Sequence, residues 1–87
     1  MPEFEFDPRK SASNREKHGI DFIEVQALWT DERLLEVPVR SDDEPRLLVI
    51  GTIAAKHWAV FITYRGERVR IISARRARAE EIQRYEG

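Results

Sequence analysis

Apolar and polar positions along the chain switch between strand-like alternation and helix-like spacing, and the switches divide it into eight segments. Phe4-Glu5-Phe6 alternates briefly, a weak strand is expected at residues 34–37, and three β-rich runs occupy residues 46–53, 57–64 and 68–74. Short joins at Ala54-Ala55-Lys56 and Arg65-Gly66-Glu67 predict antiparallel hairpins among those three runs. Asp7-Pro8 supplies a helix N-cap followed by proline at the first helical position, where the missing N–H costs nothing. A helix is therefore expected over residues 8–17, with Gly19 free to end it. Asp21 can cap a second helix, Glu24 is placed to complete a capping box, and Phe22, Val25, Leu28 and Trp29 gather on the side that would meet the core. A last helix is expected over residues 77–85, where Ala79, Ile82 and Tyr85 recur near helical spacing. The expected architecture is an α+β domain spanning residues 1–87, ordered β-α-α-β-β-β-β-α, with helices packed on one antiparallel sheet.

Composition narrows the setting. A chain of 87 residues, 41% of them apolar, can build one small core and has no room for a second module. The absence of cysteine removes disulfides, thiolate zinc sites and a thiol nucleophile together, and it agrees with a reducing compartment. Met1-Pro2-Glu3-Phe4 carries no basic-then-apolar leader, and apolar runs such as residues 58–62 are far shorter than a membrane span, so a cytoplasmic protein is expected. The net charge of −1 conceals a division: residues 1–44 hold 12 acidic and 6 basic side chains, whereas residues 45–87 hold 4 acidic and 9 basic. Arg65, Arg68, Arg70, Arg75, Arg76 and Arg78 crowd into one stretch opposed only by Glu67. Guanidinium groups are permanently charged planar forks suited to phosphate. Ion pairing between the basic and acidic halves would account for the same cluster.

Two segments carry candidate chemistry. The stretch from Arg9 to His18 contains no large apolar residue, so apolar burial does not explain it. At about 100° per residue, Lys10, Asn14, Lys17 and His18 share one polar stripe, which combines an amide, two ammonium groups and an imidazole. Such a set can hold a phosphate and transfer a proton near neutral pH. A solvent-facing helix with His18 acting as a C-terminal cap is the competing explanation. In the second segment, strict alternation puts Val69, Ile71, Ser73 and Arg75 on one face and Arg68, Arg70 and Ile72 on the other. Arg75 and Arg76 fall at the junction with the last helix, where pairing with Glu80 and Glu81 competes with a role in binding. No glycine-rich phosphate loop or nucleophile elbow is present. His18 and His57, the only histidines, have no cysteine partners for a zinc site. Trp58 and Phe61 read as core residues before base-stacking ones.

The segments Phe4-Glu5-Phe6-Asp7-Pro8-Arg9-Lys10, Asn14-Arg15-Glu16-Lys17-His18-Gly19-Ile20-Asp21-Phe22 and Arg70-Ile71-Ile72-Ser73-Ala74-Arg75-Arg76-Ala77, together with Tyr85, resemble the BrnT toxins over nearly the whole chain. Phe6 departs from the tryptophan that family members often carry, so an indole contact with RNA or antitoxin would be lost. The resemblance implies a RelE-like fold and a ribonuclease that halts translation. It also implies neutralisation by a BrnA-type antitoxin whose ribbon-helix-helix domain supplies contact with operator DNA. No cofactor, metal or membrane is implied. On this basis Arg65 and Arg75 are expected to hold the scissile phosphate, Lys10 to add charge and His18 to transfer a proton. Asn14, Lys17, Arg76 and Tyr85 are expected to contact and position the RNA strand. A non-catalytic nucleic-acid-binding module would use the same arginines, and a ParE-like toxin acting on a protein such as gyrase remains open from the residues alone.

Overall fold

The computed structural model describes all residues 1–87. Its elements are β1 (Glu3–Glu5), α1 (Pro8–His18), a 3₁₀ helix (Glu24–Thr30), β2 (Leu35–Val39), β3 (Arg46–Ile53), β4 (Lys56–Arg65), β5 (Arg68–Arg76) and α2 (Ala79–Glu86). One five-stranded sheet runs β1-β5-β4-β3-β2. Strands β2 to β5 form the expected antiparallel meander, but β1 pairs with β5 in parallel, so the sheet is mixed and not wholly antiparallel. Hairpin joins set the direction of the meander, whereas the three-residue β1 has no such join and takes its direction from the open edge it fills.

Local chemistry explains the helix boundaries. The Asp7 side chain accepts the Arg9 N–H, proline opens α1, and Gly19 closes it in the left-handed region at φ 78°, with its N–H on the Arg15 carbonyl. The Asp21–Glu24 box also forms. Asp21 Oδ1 accepts the N–H groups of Ile23 and Glu24 at 2.9 and 2.7 Å, and Glu24 Oε1 accepts the Asp21 N–H at 3.0 Å. The segment it starts is nonetheless a 3₁₀ helix, a correction to the expected α-helix. Phe22, Val25 and Leu28 are spaced by three and are 1%, 0% and 0% exposed, and three residues per turn aligns them on one buried line.

That line packs against one sheet face. Val49, Trp58, Val60, Ile62, Val69, Ile71 and Ala74 join Ile20, Phe22, Val25 and Leu28 in the main core, while Phe4 and Phe6 pack at its edge. Phe4 meets Trp29 edge-on at 5.0 Å between ring centroids, and Phe6 meets Phe22 in the same way at 5.8 Å. Gly51 lets the 3₁₀ helix approach β3, because a Cβ there would stand 2.8 Å from Leu34 Cδ1 and 3.0 Å from Leu28 Cγ. Helix α2 lies against the opposite face and is held at its far end by polar contacts. The Tyr85 hydroxyl donates to Asp31, and His57 Nε2 stands 2.8 Å from Glu86 Oε2.

A β-bulge between Phe61 and Ile62 overturns the strict alternation expected for β5. Phe61 pairs with Ser73 and Ile62 with Ile71, which leaves Ile72 as the extra residue without a cross-strand partner. Val69, Ile71 and Ala74 therefore face the main core, while Arg70, Ser73 and Arg75 share the side of their partners Thr63, Phe61 and Ala59.

The β3–β4 hairpin turns through Ala54 and Ala55, both in the left-handed region at φ 50° and 66°. This two-residue turn favours Asn-Gly, and alanine there carries a steric cost of roughly 1 kcal/mol per residue. The double replacement Ala54→Asn, Ala55→Gly should raise the thermal midpoint by about 4 °C or more, with no change expected away from the turn. Calorimetry showing an unchanged or lower midpoint would contradict the strain assigned to the turn.

Asp31 generates an acid-stability prediction. Partial burial pushes its carboxyl upward, but hydrogen bonds from Tyr85, the Arg33 and Thr52 N–H groups and the Thr52 hydroxyl outweigh it and hold the pKa at about 2, below the ordinary 3.8. A depressed folded-state value stabilises the protein above the unfolded-state value, and that contribution disappears as pH falls toward 2. Between about pH 5 and pH 2, the wild type should lose about 2 kcal/mol more unfolding free energy than Asp31→Asn. Denaturant titrations across this range measure the difference, and parallel acid profiles would refute the assignment.

Candidate active site

Helix α1 reaches the sheet through hydrogen bonds in place of apolar side chains. Its two buried residues are Ser11 and Asn14. Ser11 Oγ accepts the Phe22 N–H at 2.9 Å. The Asn14 amide donates to the Ile20 carbonyl at 2.8 Å, and its oxygen accepts the Ala74 N–H at 3.1 Å. Strand β1 pairs with β5 only at Arg68, Val69 and Arg70, so the Ala74 N–H lies beyond the reach of the sheet ladder and Asn14 satisfies it. Asn14 was expected to contact RNA. Its amide is instead occupied by the backbone on both sides, so it positions the helix.

Docking in this way turns the rest of the polar stripe toward a pocket of ≈ 200 Å³ between α1 and β5, lined by Lys10, Ser13, Asn14, Lys17, His18, Phe22, Ile72 and Ser73. Three of the expected site residues, Lys10, Lys17 and His18, therefore meet around one cavity. Neither lysine enters any of the chain's ion pairs. His18 is exposed at the rim, and the helix end is closed by the Gly19 N–H, so the imidazole is not needed as a cap. Ser13 and Ser73 line the same cavity. Sequence reading missed both, since a lone serine carries no signal until the bulge and the helix docking bring it to the cavity.

The arginines are placed differently. Arg65 is exposed and pairs with Glu44 at 3.3 Å, Arg68 pairs with Glu3 at 3.5 Å, and Arg70 with Glu5 at 2.8 Å. Arg75 makes two hydrogen bonds of 2.8 Å to Glu81 and lies over the Phe61 ring at 5.6 Å. The same Glu81 carboxylate accepts the Arg78 N–H at the start of α2. The Arg75 guanidinium, followed by the Arg78 contacts, holds the Glu81 carboxyl below the usual carboxylate range against the effect of burial. Arg75 stands beside Ala59 and Arg65 lies six residues farther along β4, about 20 Å away at the rise of a strand. A clamp in which both arginines hold one phosphate is therefore not formed. Arg76 lies over the Trp58 ring at 5.5 Å and donates to the His57 carbonyl, and Tyr85 is spent on Asp31. None of Arg65, Arg75, Arg76 and Tyr85 lines the pocket.

The motifs that resemble BrnT toxins thus occupy α1, the turn after it and β5, the elements that enclose the pocket. A family model described as ribonuclease toxin, BrnT, of type II toxin-antitoxin system matches residues 6–81. The chain belongs to the BrnT family. A search of curated proteins gives no match. Membership makes it a ribonuclease toxin of a type II toxin–antitoxin pair, with RNA as target and an antitoxin as partner. No group of three or more His, Cys, Asp or Glu side chains is placed to hold a metal ion, and no helix is long and apolar enough to cross a membrane.

Asn14 ties this BrnT chain's α1 to β5, and its removal strands two buried backbone groups. Asn14→Ala should cost on the order of 3 kcal/mol of unfolding free energy, measured by chemical denaturation. Lys17→Ala, one turn along the same stripe, should change stability by less than about 0.5 kcal/mol. Equal stability of the two variants would remove Asn14 from its anchoring role.

Proposed function

We propose that this protein is an endoribonuclease that cleaves RNA without a metal ion at the α1–β5 pocket. By that activity it arrests translation and growth in the cytoplasm. The RelE-like fold implied by the resemblance belongs to this reading. So does neutralisation by a BrnA-type antitoxin whose ribbon-helix-helix domain carries the pair to operator DNA. The observation that supports it best is the convergence of Lys10, Lys17 and His18, free of ion-pair partners, on one cavity that Ser13 and Ser73 also line.

The chemistry follows from what RNA offers. The ribose 2′-oxygen attacks phosphorus, the bond from phosphorus to the 5′-oxygen breaks, and the products are a cyclic 2′,3′-phosphate and a free 5′-hydroxyl. The 2′-hydroxyl must lose a proton, which passes to solvent water, and the departing 5′-oxygen must gain one. In this mechanism the His18 imidazolium supplies the second proton. Lys10 and Lys17 hold the nonbridging oxygens as negative charge grows on them, and Ser13 and Ser73 donate hydrogen bonds to the phosphate or the ribose. Arg75 contributes by fixing Glu81 and α2, and Arg65 lies outside the site.

Cleavage of labelled RNA in the presence of EDTA tests this arrangement. Lys10→Ala and His18→Gln should each slow cleavage on the order of 100-fold, while Arg65→Ala, which removes only an exposed ion pair, should cleave at nearly the wild-type rate. Near-normal cleavage by folded Lys10→Ala and His18→Gln proteins would move the site elsewhere. Activity lost in EDTA and restored by a divalent ion would overturn the metal-independent mechanism, and RNA bound without cleavage would favour a binding module.

A further inference from the structure

Ile72 is the one residue of β5 without a place in the strand pairing, and its side chain lines the pocket beside Phe22. A regular strand would have carried an isoleucine here to one face or the other of the sheet. The bulge turns it out of the ladder, half-buried, at the edge that β1 leaves uncovered. Bulges beside functional sites characteristically re-aim a side chain in this way. Phe22 is 1% exposed and is held edge-on by Phe6, so it backs Ile72 as fixed packing and leaves Ile72 as the apolar side chain open to the cavity. The cavity is therefore two-sided: ammonium and imidazole groups on α1, and the apolar Ile72 on β5.

A cavity that needed only to grip phosphate would have no use for that apolar surface. We infer that Ile72, backed by the buried Phe22 ring, receives the base of a nucleotide whose phosphate lies against Lys10 and Lys17, and that Ile72 is a specificity-determining residue. The inference rests on the ribonuclease reading for the identity of the ligand, while its test reads binding alone. Charge selects the phosphate, and burial of a base face against the Ile72 side chain supplies a contribution that a sugar phosphate cannot make. A base enters such a cavity only when splayed out of a helix, so the same surface disfavours paired RNA.

Adenosine 5′-monophosphate and ribose 5-phosphate carry the same phosphoryl group and differ in the base. Titration of the whole protein with each, followed by NMR, should show adenosine 5′-monophosphate binding about tenfold more tightly, with shifts at the Ile72 methyls and the Phe22 ring. Ile72→Ala should bring its affinity down to that of ribose 5-phosphate and leave ribose 5-phosphate binding unchanged, and Ile72→Val should retain most of the difference. Lys10→Ala should weaken both ligands together. Equal affinity of the two ligands for the wild type, or a base effect that survives Ile72→Ala, would overturn the inference and leave the RNA-cleavage reading intact. A base effect at Ile72 in a protein that cleaves no RNA would instead support the inference and refute the nuclease.

Discussion

One side-chain amide holds the working part of this molecule in place. Asn14 bridges the Ile20 carbonyl and the Ala74 N–H, and with the Ser11 contact to Phe22 it fastens α1 to β5 and to the turn that leads into the 3₁₀ helix. Apolar docking would have required large side chains on the inner face of α1, and these would have filled the space the pocket occupies. Two short polar side chains satisfy backbone groups that would otherwise be buried without partners, and they bring the helix close without closing the cavity. The placement of Lys10, Lys17 and His18 follows from this attachment, since the three ride on a helix whose rotation about its axis is fixed by Ser11 and Asn14.

The two basic groups of the chain have separate tasks. Arginines on β5 and at the β4–β5 turn meet acids from the N-terminal half: Glu3 and Glu5 reach them across the parallel β1–β5 pairing, and Glu44 reaches Arg65. The exposed members of this set contribute little to stability, but they take their charge out of competition for RNA. Arg75 is the exception among them because its side chain is 19% exposed and its fork matches Glu81 at two points. That pair joins the end of β5 to the start of α2, and Tyr85 with Asp31 secures the other end. Lys10 and Lys17 on α1 are left as unpaired cationic groups facing a cavity, with the His18 imidazole beside them.

Much of the fold could be read from local signals. Asp7-Pro8, Gly19 and the Asp21–Glu24 box each act over a few residues, and each behaves in the structure as its chemistry dictates. The hairpin joins set the meander for the same reason. What escaped was long-range. The direction of β1 depends on an edge that exists only once β5 is in place, and the bulge at Ile72 depends on how β5 must bend to keep both Ile71 and Ala74 in the core. The 3₁₀ geometry was latent in the three-residue spacing of Phe22, Val25 and Leu28, which also resembles one side of an α-helix over so short a segment.

The same distinction explains which half of the candidate site was legible. Lys10, Asn14, Lys17 and His18 line one pocket because helical geometry alone puts them on one stripe, whatever the rest of the chain does. Only packing could assign Asn14 to the inner edge of that stripe and the cations to the cavity. The arginines were grouped by proximity in sequence, which on a strand is a poor guide: six residues of β4 separate the positions beside Arg65 and Arg75 by about 20 Å, whereas eight residues of α1 return Lys10 and His18 to one cavity. Charge in a short stretch therefore says that anions are nearby, and the secondary structure beneath it decides whether they are a substrate's or the protein's own. Here Arg65, Arg68, Arg70 and Arg75 found glutamates already in the chain, and Lys10 and Lys17 did not.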